Sequence, residues 1–196
     1  CLEAVIRSLP SSEKTQLAVL GALPDIVQDQ MMRLLEQLGL KNVFVLPQVK
    51  FDDDVSIGKN THFICVQPFL GASYEEMVRR GAKPISANFP FGAEGTTKWL
   101  WAIAERFGIS KAKFDVVVAA PKLRAEQAVA AVADELRGKS VFFFPDSQLE
   151  IPLARFLAAE CGMELTEVGS PFIHKSLVHA DLGDLPAPTQ LSEGPE

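Results

Sequence analysis

Short, nearly unbroken apolar runs alternate along this chain with amphipathic stretches, and this alternation restricts the possible folds more than any other feature. Three of the apolar runs lie at residues 16–21 (QLAVLG), 42–46 (NVFVL) and 61–66 (THFICV). A helical pattern occupies residues 26–38, and Gly39 supplies a helix stop directly after it. Continuous apolar strands that alternate with helices are typical of parallel sheets with both faces covered. The sequence therefore predicts an α/β fold, with parallel sheets and helices on both of their faces.

The same alternation continues through the second half of the chain. The predicted elements are a short strand at 84–87, a helix at 98–107, a strand at 141–144, a helix at 149–161 and a strand at 164–168. Residues 110–137 differ, because they are rich in alanine and charged residues and lack glycine, which favours helix. We predict an α/β domain at 1–109, a helical connecting segment at 110–138 and a partial second α/β domain at 139–196.

Local patterns also predict where particular elements start and stop. Ser73 and Glu76 have the spacing of a capping box, which predicts a helix that starts there and ends near Gly81. Residues 191–196 (LSEGPE) are predicted to form a loop. The chain begins with Cys1 instead of methionine, so we expect it to be a piece of a longer protein.

Charge and hydropathy exclude several classes of protein. The formal net charge of −6 disfavours generic binding to nucleic acid or to an anionic membrane. The apolar runs are far shorter than the ~20 residues that cross a bilayer, so no transmembrane segment is predicted. The first residues show neither the charged nor the apolar part of a signal peptide, and we expect a cytoplasmic protein.

Residue types that commonly bind metals are present, but their spacing matches no metal site. The cysteines, Cys1, Cys65 and Cys161, show no CxxC spacing, which agrees with a reducing compartment. Cys65 and Cys161 are predicted to be small buried side chains. The acidic run 52–54 could hold a cation, although a solvated loop is the more common role. The histidines are predicted to be structural or surface residues, and they are His62, His174 and His179.

Polar side chains follow three predicted strands at their carboxyl ends, where parallel α/β sheets bind ligands. We expect the loops that begin at residues 67, 88 and 145 to meet on one side of the molecule and to line one crevice. A second interpretation is open for Ser147, which fits a capping box with Glu150 and could serve only to start the next helix. Pro152 favours a later helix start, which would leave residues 146–148 as a loop.

The glycine-rich stretch 92–97 (GAEGTT) raises the question of a phosphate-binding loop. It lacks the terminal Lys-Ser/Thr of a P-loop, and its spacing is not GxGxxG. A helix N-terminus there could still accept an anion or the polar edge of a ligand. No Ser/His/Asp, Cys/His or HExxH constellation occurs, so residue patterns alone lead to a parallel α/β protein with a polar crevice.

Longer runs of sequence carry a more specific resemblance. They include residues 21–30 (GALPDIVQDQ), 67–109 (which begins QPFLGASYEEMVRRG), 142–171 (which begins FFFPDSQLEIPLARF) and 185–196 (LPAPTQLSEGPE). The chain resembles the N subunits of the light-independent (dark-operative) protochlorophyllide reductases, a nitrogenase component 1-like family, and the bacteriochlorophyll-type branch is nearest. The resemblance extends over nearly the whole chain.

This resemblance implies a fold, partners and a reaction. The fold would be nitrogenase component 1-like, with Rossmann-like domains of which this chain holds the second and much of the third. The partners would be the B subunit, in an N2B2 heterotetramer, and a separate iron–sulfur L protein dimer that hydrolyses ATP and carries ATP-Mg. The reaction would be the ferredoxin-linked reduction of the C17–C18 double bond in ring D of protochlorophyllide, which gives chlorophyllide.

The resemblance also limits which residues inherit a role. The implied [4Fe-4S] cluster takes three cysteines from a domain that this chain lacks and a carboxylate from the B subunit. No cluster ligand is therefore assigned to Cys1, Cys65 or Cys161. The proton-donating aspartate also comes from the B subunit, so Asp146 is predicted to position the substrate, and no catalytic residue is assigned.

A flat, mostly apolar tetrapyrrole needs apolar walls with a few placed polar groups. The predicted substrate-binding residues are Gln67, Phe69, Phe89, Phe91, Asp146, Ser147 and Gln148. Strand 141–144 is expected to be buried on both faces, which would hold its loop rigidly. Core packing remains the alternative for each phenylalanine. Two other functions stay open: another nitrogenase-like tetrapyrrole reductase subunit or cofactor scaffold, and a non-enzymatic two-lobed α/β binding protein.

Overall fold

The structure is a computed structural model that describes residues 2–47 and 55–194. Cys1 and the acidic run 52–54 lie outside the described residues, so the expectations for them stay predictions. Among the described residues, no helix is both long and apolar enough to cross a membrane.

The chain divides into two compact units, residues 1–86 and 87–196, and each contains its own parallel sheet. The predicted class, α/β with parallel sheets, is confirmed. The predicted domain boundaries of this chain, after residues 109 and 138, stay a prediction.

The first unit is built around a four-stranded parallel sheet with the strand order β2-β1-β3-β4. Its elements are α1 (Leu2–Ser8), β1 (Gln16–Leu20), α2 (Asp25–Leu38), β2 (Val43–Leu46), β3 (Thr61–Cys65), α3 (Gly71–Arg79) and β4 (Lys83–Pro84). Every residue of β1 is buried, as expected for an apolar strand with a neighbour on each side. Helix α2 stops where predicted, because Gly39 has a φ of 100° and glycine adopts this left-handed conformation without a steric penalty.

Helix α3 corrects the predicted capping box. The helix begins at Gly71, so Ser73 and Glu76 lie inside it, and both are buried. The Glu76 carboxylate accepts hydrogen bonds from Arg7 (Nε to Oε2, 3.4 Å) and from Arg79. The prediction was wrong because the sequence spacing does not reveal that α1 supplies an arginine to this carboxylate.

The second unit holds a three-stranded parallel sheet with the order β5-β6-β7. Its elements are α4 (Gly92–Arg106), α5 (Lys111–Leu136), β5 (Ser140–Phe143), α6 (Glu150–Cys161), β6 (Glu164–Ser170), α7 (Lys175–Gly183) and β7 (Gln190–Glu193). Strand β7 shows that the predicted loop at 191–196 was wrong for residues 191–193, since Leu191 pairs with Val168 of β6. The mixed sequence QLSE carries little strand signal, and pairing with β6 stabilises the strand instead.

Helix α4 begins at Gly92 instead of residue 98, so the glycine-rich stretch is helical. The predicted long helix in the connecting segment is α5, which starts after Ser110, whose hydroxyl caps the helix. Trp101 of α4 meets Phe114 of α5 edge to face, with ring centroids 5.0 Å apart. The fully buried side chains of α4 include Trp99, Leu100 and Ile103.

Strand β5 was expected to be buried on both faces, and this expectation is wrong. Phe142 is 54% exposed, and Phe144, directly after the strand, is 72% exposed. Strand β5 forms the edge of its sheet and pairs with β6 alone among the described strands. An unbroken apolar run does not distinguish an edge strand from a central one, because it reports the side chains and not the neighbouring strands.

Candidate functional site

Gln67 lies shortly after β3 and joins two loops of the first unit. Its Nε2 donates to the Ala22 carbonyl (2.9 Å), and its Oε1 accepts from the Ala22 N–H (3.2 Å). The loops after β1 and β3 are therefore bound to each other at the carboxyl ends of neighbouring strands. Gly21 permits this approach, since its φ is 126° and a Cβ there would lie 2.9 Å from Oε1 of Gln67. Phe69, two residues further on, is 43% exposed.

The loop after β5 is held by one carboxylate at the start of α6. Oε1 of Glu150 accepts hydrogen bonds from the backbone N–H groups of Asp146 (2.9 Å) and Ser147 (2.6 Å). The Ser147 hydroxyl donates to the same oxygen (3.2 Å) and accepts from the Leu149 N–H (3.3 Å). The side chains of Asp146 and Ser147 remain exposed. Gln148 has a φ of 67°, which is uncommon for a residue other than glycine.

The observed start of α6 explains how the helix accommodates Pro152. Because the helix begins at Glu150, the proline occupies its third position. N–H groups in the first turn have no partner within the helix, so proline removes no helical hydrogen bond there. Residues 145–149 form the predicted loop, while Ser147 also binds the backbone beside the helix start through Leu149. Both interpretations of Ser147, helix start and substrate contact, therefore stay open.

Glu150 is 4% exposed, and its surroundings favour the ionised form. Burial alone raises the pKa of this carboxyl, but the N–H groups of Ser147 and Asp146 lower it more, so that the pKa lies below its usual range. The hydroxyl of Ser170, at the end of β6, donates to Oε2 (3.3 Å). At neutral pH an ionised Glu150 thus connects the loop to β6.

The loop that precedes α4 is fixed through a buried ion pair. Arg155 of α6 and Asp181 of α7 are 1% and 0% exposed, and Nε lies 2.7 Å from Oδ1. Nη2 of Arg155 donates to the carbonyl oxygens of Phe89 (3.3 Å) and Phe91 (2.9 Å). Oδ2 of Asp181 accepts from the Phe89 N–H (2.9 Å). The Phe89 side chain is buried, whereas Phe91 is half-buried.

The first turn of α4 binds an internal carboxylate at its free N–H groups. Oε2 of Glu160 accepts from the Ala93 N–H (2.7 Å), and Oε1 accepts from the Glu94 N–H (3.2 Å). A negative charge at a helix N-terminus is favourable, for the same reason that phosphate binds there. Glu160 occupies the position that an anion would take, so the geometry gives the phosphate-loop interpretation no support.

Helix α6 connects both loops of the second unit that carry predicted substrate-binding residues. Glu150 binds the loop after β5, and Arg155 binds the segment that contains Phe89 and Phe91. Gln67 and Phe69 belong to the first unit. The expected meeting of all three loops on one side therefore stays a prediction.

Residue patterns alone missed most of this network. The available signal was the occurrence of Glu150, Arg155 and Glu160 in an otherwise apolar helix, EIPLARFLAAEC, because charged side chains are rarely buried without partners. Asp181 carried no comparable signal. Its partner Arg155 lies 26 residues earlier in the chain, and only the packing of α6 on α7 brings the two together.

Comparison with known proteins places this fold in a family. The family model for nitrogenase component 1 type oxidoreductases matches residues 1–187. The chain belongs to the nitrogenase component 1 type oxidoreductase family. Among solved nitrogenase structures, the chain is similar to "Nitrogenase Cp1 at pH 6.5", with a TM-score of 0.64 at 13% identity over 99% of this chain and 48% of that chain. This likeness concerns the fold alone, and it confirms the predicted nitrogenase component 1-like fold.

Curated relatives of the nitrogenase component 1 type include much more similar sequences. The chain is 54% identical over 194 residues to the light-independent protochlorophyllide reductase subunit N of Dinoroseobacter shibae. It is 53% identical over 194 residues to the protein of the same name from Jannaschia sp.. Both alignments cover 99% of this chain and 45% of the relative, so the chain spans about half the length of the curated relatives that it matches. The predicted resemblance to the N subunits is confirmed.

Membership in the nitrogenase component 1 family implies iron–sulfur clusters, but the described residues do not fit one. Among residues 2–47 and 55–194, no group of three or more His, Cys, Asp or Glu side chains is placed to hold a metal ion. Burial raises the pKa of the Cys65 thiol to about 12, and it also raises the pKa of Cys161. Cluster ligands are thiolates, which these environments disfavour. The prediction that both cysteines are buried is confirmed.

We expect residues 1–196 alone to bind no [4Fe-4S] cluster, because both described cysteines are buried thiols and neither belongs to a described group of three or more potential metal ligands. Anaerobic reconstitution with iron and sulfide should leave the chain with background iron and without the broad visible absorption of a cluster. A matched control is the C65A C161A variant, which should give the same iron content. Stoichiometric cluster iron that the control loses would contradict this expectation.

Proposed function

We propose that the complete protein is the N subunit of a light-independent protochlorophyllide reductase. One observation carries the proposal, namely 54% identity over 99% of this chain to a relative of that name. Identity to a nitrogenase of the same fold is only 13%, so the sequence supports the protochlorophyllide reductase branch of the family. The proposed reaction is the ATP-dependent, ferredoxin-linked reduction of the C17–C18 double bond in ring D of protochlorophyllide to give chlorophyllide.

The proposed partners follow from the same branch. Family membership implies partner subunits, and we assign these as the B subunit, in an N2B2 heterotetramer, and an L protein dimer that hydrolyses ATP-Mg. The [4Fe-4S] cluster would take its ligands from outside residues 1–196. The net charge of −6 supports a protein that binds no nucleic acid, and the proposed location is the cytoplasm.

The test of this function is anaerobic turnover by the complete protein together with the B subunit, the L protein, ATP and a reductant. Absorption spectroscopy should detect conversion of protochlorophyllide to chlorophyllide, and omission of the complete N protein should abolish it. Reduction of a different tetrapyrrole instead would indicate another nitrogenase-like reductase. Binding without any reduction would favour a cofactor scaffold or a non-enzymatic binding protein.

The proposed substrate site uses the loops at the carboxyl ends of the strands. Phe69 of the first unit is exposed enough to lie against a flat ring. In the second unit the half-buried Phe91 would form an apolar wall, and the buried Phe89 belongs to the same segment. Polar contacts to a ring carbonyl, a carboxylate or a magnesium-bound water would come from Gln67, Asp146, Ser147 and Gln148. In support of this role, the bonds to Glu150 hold the backbone of the Asp146 loop and leave its first side chains exposed.

In the complete complex, we expect Ser147→Ala and Gln148→Ala to weaken protochlorophyllide binding by at most about tenfold, since one neutral hydrogen bond contributes ~0.5–1.5 kcal/mol. Asp146→Asn should keep measurable turnover, because we assign the proton donor to the B subunit. Loss of a proton donor would instead cost on the order of a hundredfold or more. Substrate titration and single-turnover reduction measure the two effects separately.

Matched controls for these loop variants are available on exposed helix surfaces. Ser176→Ala, Gln127→Ala and Asp134→Asn change the same residue types without a bond to the loop, and they should behave as the wild type. If Asp146→Asn abolished the chemical step while substrate binding stayed intact, the positioning role would be wrong. Unchanged kinetics in all three loop variants would assign the loop to the start of α6 only.

A further inference from the structure

The ion pair of Arg155 and Asp181 holds the backbone of Phe89 and Phe91 at three points. Arg155 binds the carbonyl oxygens of both phenylalanines, and Asp181 binds the N–H of Phe89. Gly95 of α4 packs directly against this ion pair. A Cβ at this position would lie 2.6 Å from the Phe89 carbonyl oxygen and nearer still to the Arg155 guanidinium. The segment therefore has little freedom to move relative to α6 and α7.

The buried pair of Arg155 and Asp181 is expected to contribute little net free energy to folding. Moving two charges into the interior costs free energy that their attraction often fails to return. Nη1 of Arg155 is buried and has no acceptor among the described residues, which adds a further cost. Burial raises the pKa of Asp181, although the Phe89 N–H and Arg155 oppose this. The pair instead fixes the orientation of the groups that it binds, because a planar guanidinium holds its hydrogen-bond acceptors in set directions.

We propose that Arg155 is a positioning residue for substrate binding, which orients the half-buried Phe91 ring toward the tetrapyrrole through Asp181 and the two carbonyl oxygens. This inference rests on the proposed function, since it takes protochlorophyllide as the ligand. Arg155 is 1% exposed, so it acts through the segment that it binds and not by contact with the substrate. Phe89 anchors that segment in the core, and Phe91 forms the wall.

The first test replaces Arg155 by lysine in the complete N protein assembled with its partner subunits. Lysine keeps the charge but cannot span two carbonyl oxygens and a carboxylate with one planar group, so Kd for protochlorophyllide should rise by about five- to tenfold. Single-turnover reduction at saturating substrate should stay within about twofold, because Arg155 touches no reacting atom. Arg137→Lys, at an exposed arginine that pairs with exposed Asp134, is the matched control and should leave Kd unchanged.

The second test is a double-mutant cycle with Phe91→Leu. Alone, this substitution should raise Kd by about three- to fivefold, because a smaller side chain covers less of the ring. In the Arg155→Lys background it should add less than about twofold, since the wall is already misplaced. A purely structural role for Arg155 would instead let the two losses multiply.

Three results would contradict the positioning role of Arg155 or the proposed function on which it rests. The positioning role would be overturned if Arg155→Lys lowered the thermal stability but kept the same Kd as the Arg137→Lys control. It would also be overturned if the increases in Kd caused by Arg155→Lys and Phe91→Leu multiplied in the double variant. If Arg155→Lys does not assemble, the R155Q D181N double variant provides the same cycle, because it removes both charges and leaves neither buried alone. If the wild-type complex bound no protochlorophyllide, the proposed function itself would fail, and this inference with it.

Discussion

Replacing Asp181 by alanine should lower the stability of the α6–α7 region by about 3–5 kcal/mol. The substitution leaves the Arg155 guanidinium charged in the interior, where it is 1% exposed. It also leaves the N–H of the buried Phe89 without its acceptor. Hydrogen exchange of the complete protein, followed by mass spectrometry in peptides of α6 and α7, measures this local free energy without requiring two-state unfolding.

Asp134→Ala is the matched control for this experiment. Asp134 pairs with Arg137 at 3.5 Å, but its side chain is 88% exposed, and exposed pairs contribute little to stability. Exchange in the control should therefore match the wild type. If Asp181→Ala exchanged no faster than the control, the ion pair would have no role in holding α6 to α7.

Gly95→Ala should destabilise the same region, by about 1–3 kcal/mol. Alanine normally stabilises the interior of a helix relative to glycine, by roughly 0.5–1 kcal/mol, so the sign itself is informative. At this position the added Cβ would lie 2.6 Å from the Phe89 carbonyl oxygen and 3.0 Å from Cζ of Arg155. Both neighbours are buried and bonded to each other, so neither can move without loss of the hydrogen bond.

Gly183→Ala provides the comparison for Gly95→Ala. Gly183 is the last residue of α7, and a Cβ there would meet no atom within 4 Å. This control should be neutral or slightly stabilising in the same exchange measurement. A stabilising Gly95→Ala would show that α4 can shift away from Arg155, and the close approach would then be without consequence.

Strands β1, β2 and β3 could be predicted from sequence because their signal is local, whereas β4 occupies Lys83–Pro84 instead of the predicted residues 84–87. Strand β1 and helix α2 follow directly from an apolar run, a helical period and a glycine with positive φ at residue 39. The start of α4 could not be predicted in this way. Glycines at 92 and 95 suggest a loop, and the carboxylate that binds the first N–H groups comes from Glu160, far along the chain.

In the candidate site, too, features with a local sequence signal could be predicted and long-range contacts could not. The loops themselves could be located from the strand ends, and Glu150 was visible as a partner of Ser147 three residues away. The bonds of Arg155 could not be predicted, because they join three elements that are separated in sequence. Local patterns indicate where a loop lies, whereas long-range packing determines what holds it.

The exposed edge of β5 has a consequence for work with this part of the protein. A strand edge presents a row of N–H and C=O groups with which another extended chain can pair. Phe142 and Phe144 add apolar surface beside that edge. Residues 1–196 in solution are therefore expected to self-associate as the protein concentration rises. Binding measurements on them need light scattering at the same concentration to detect this association.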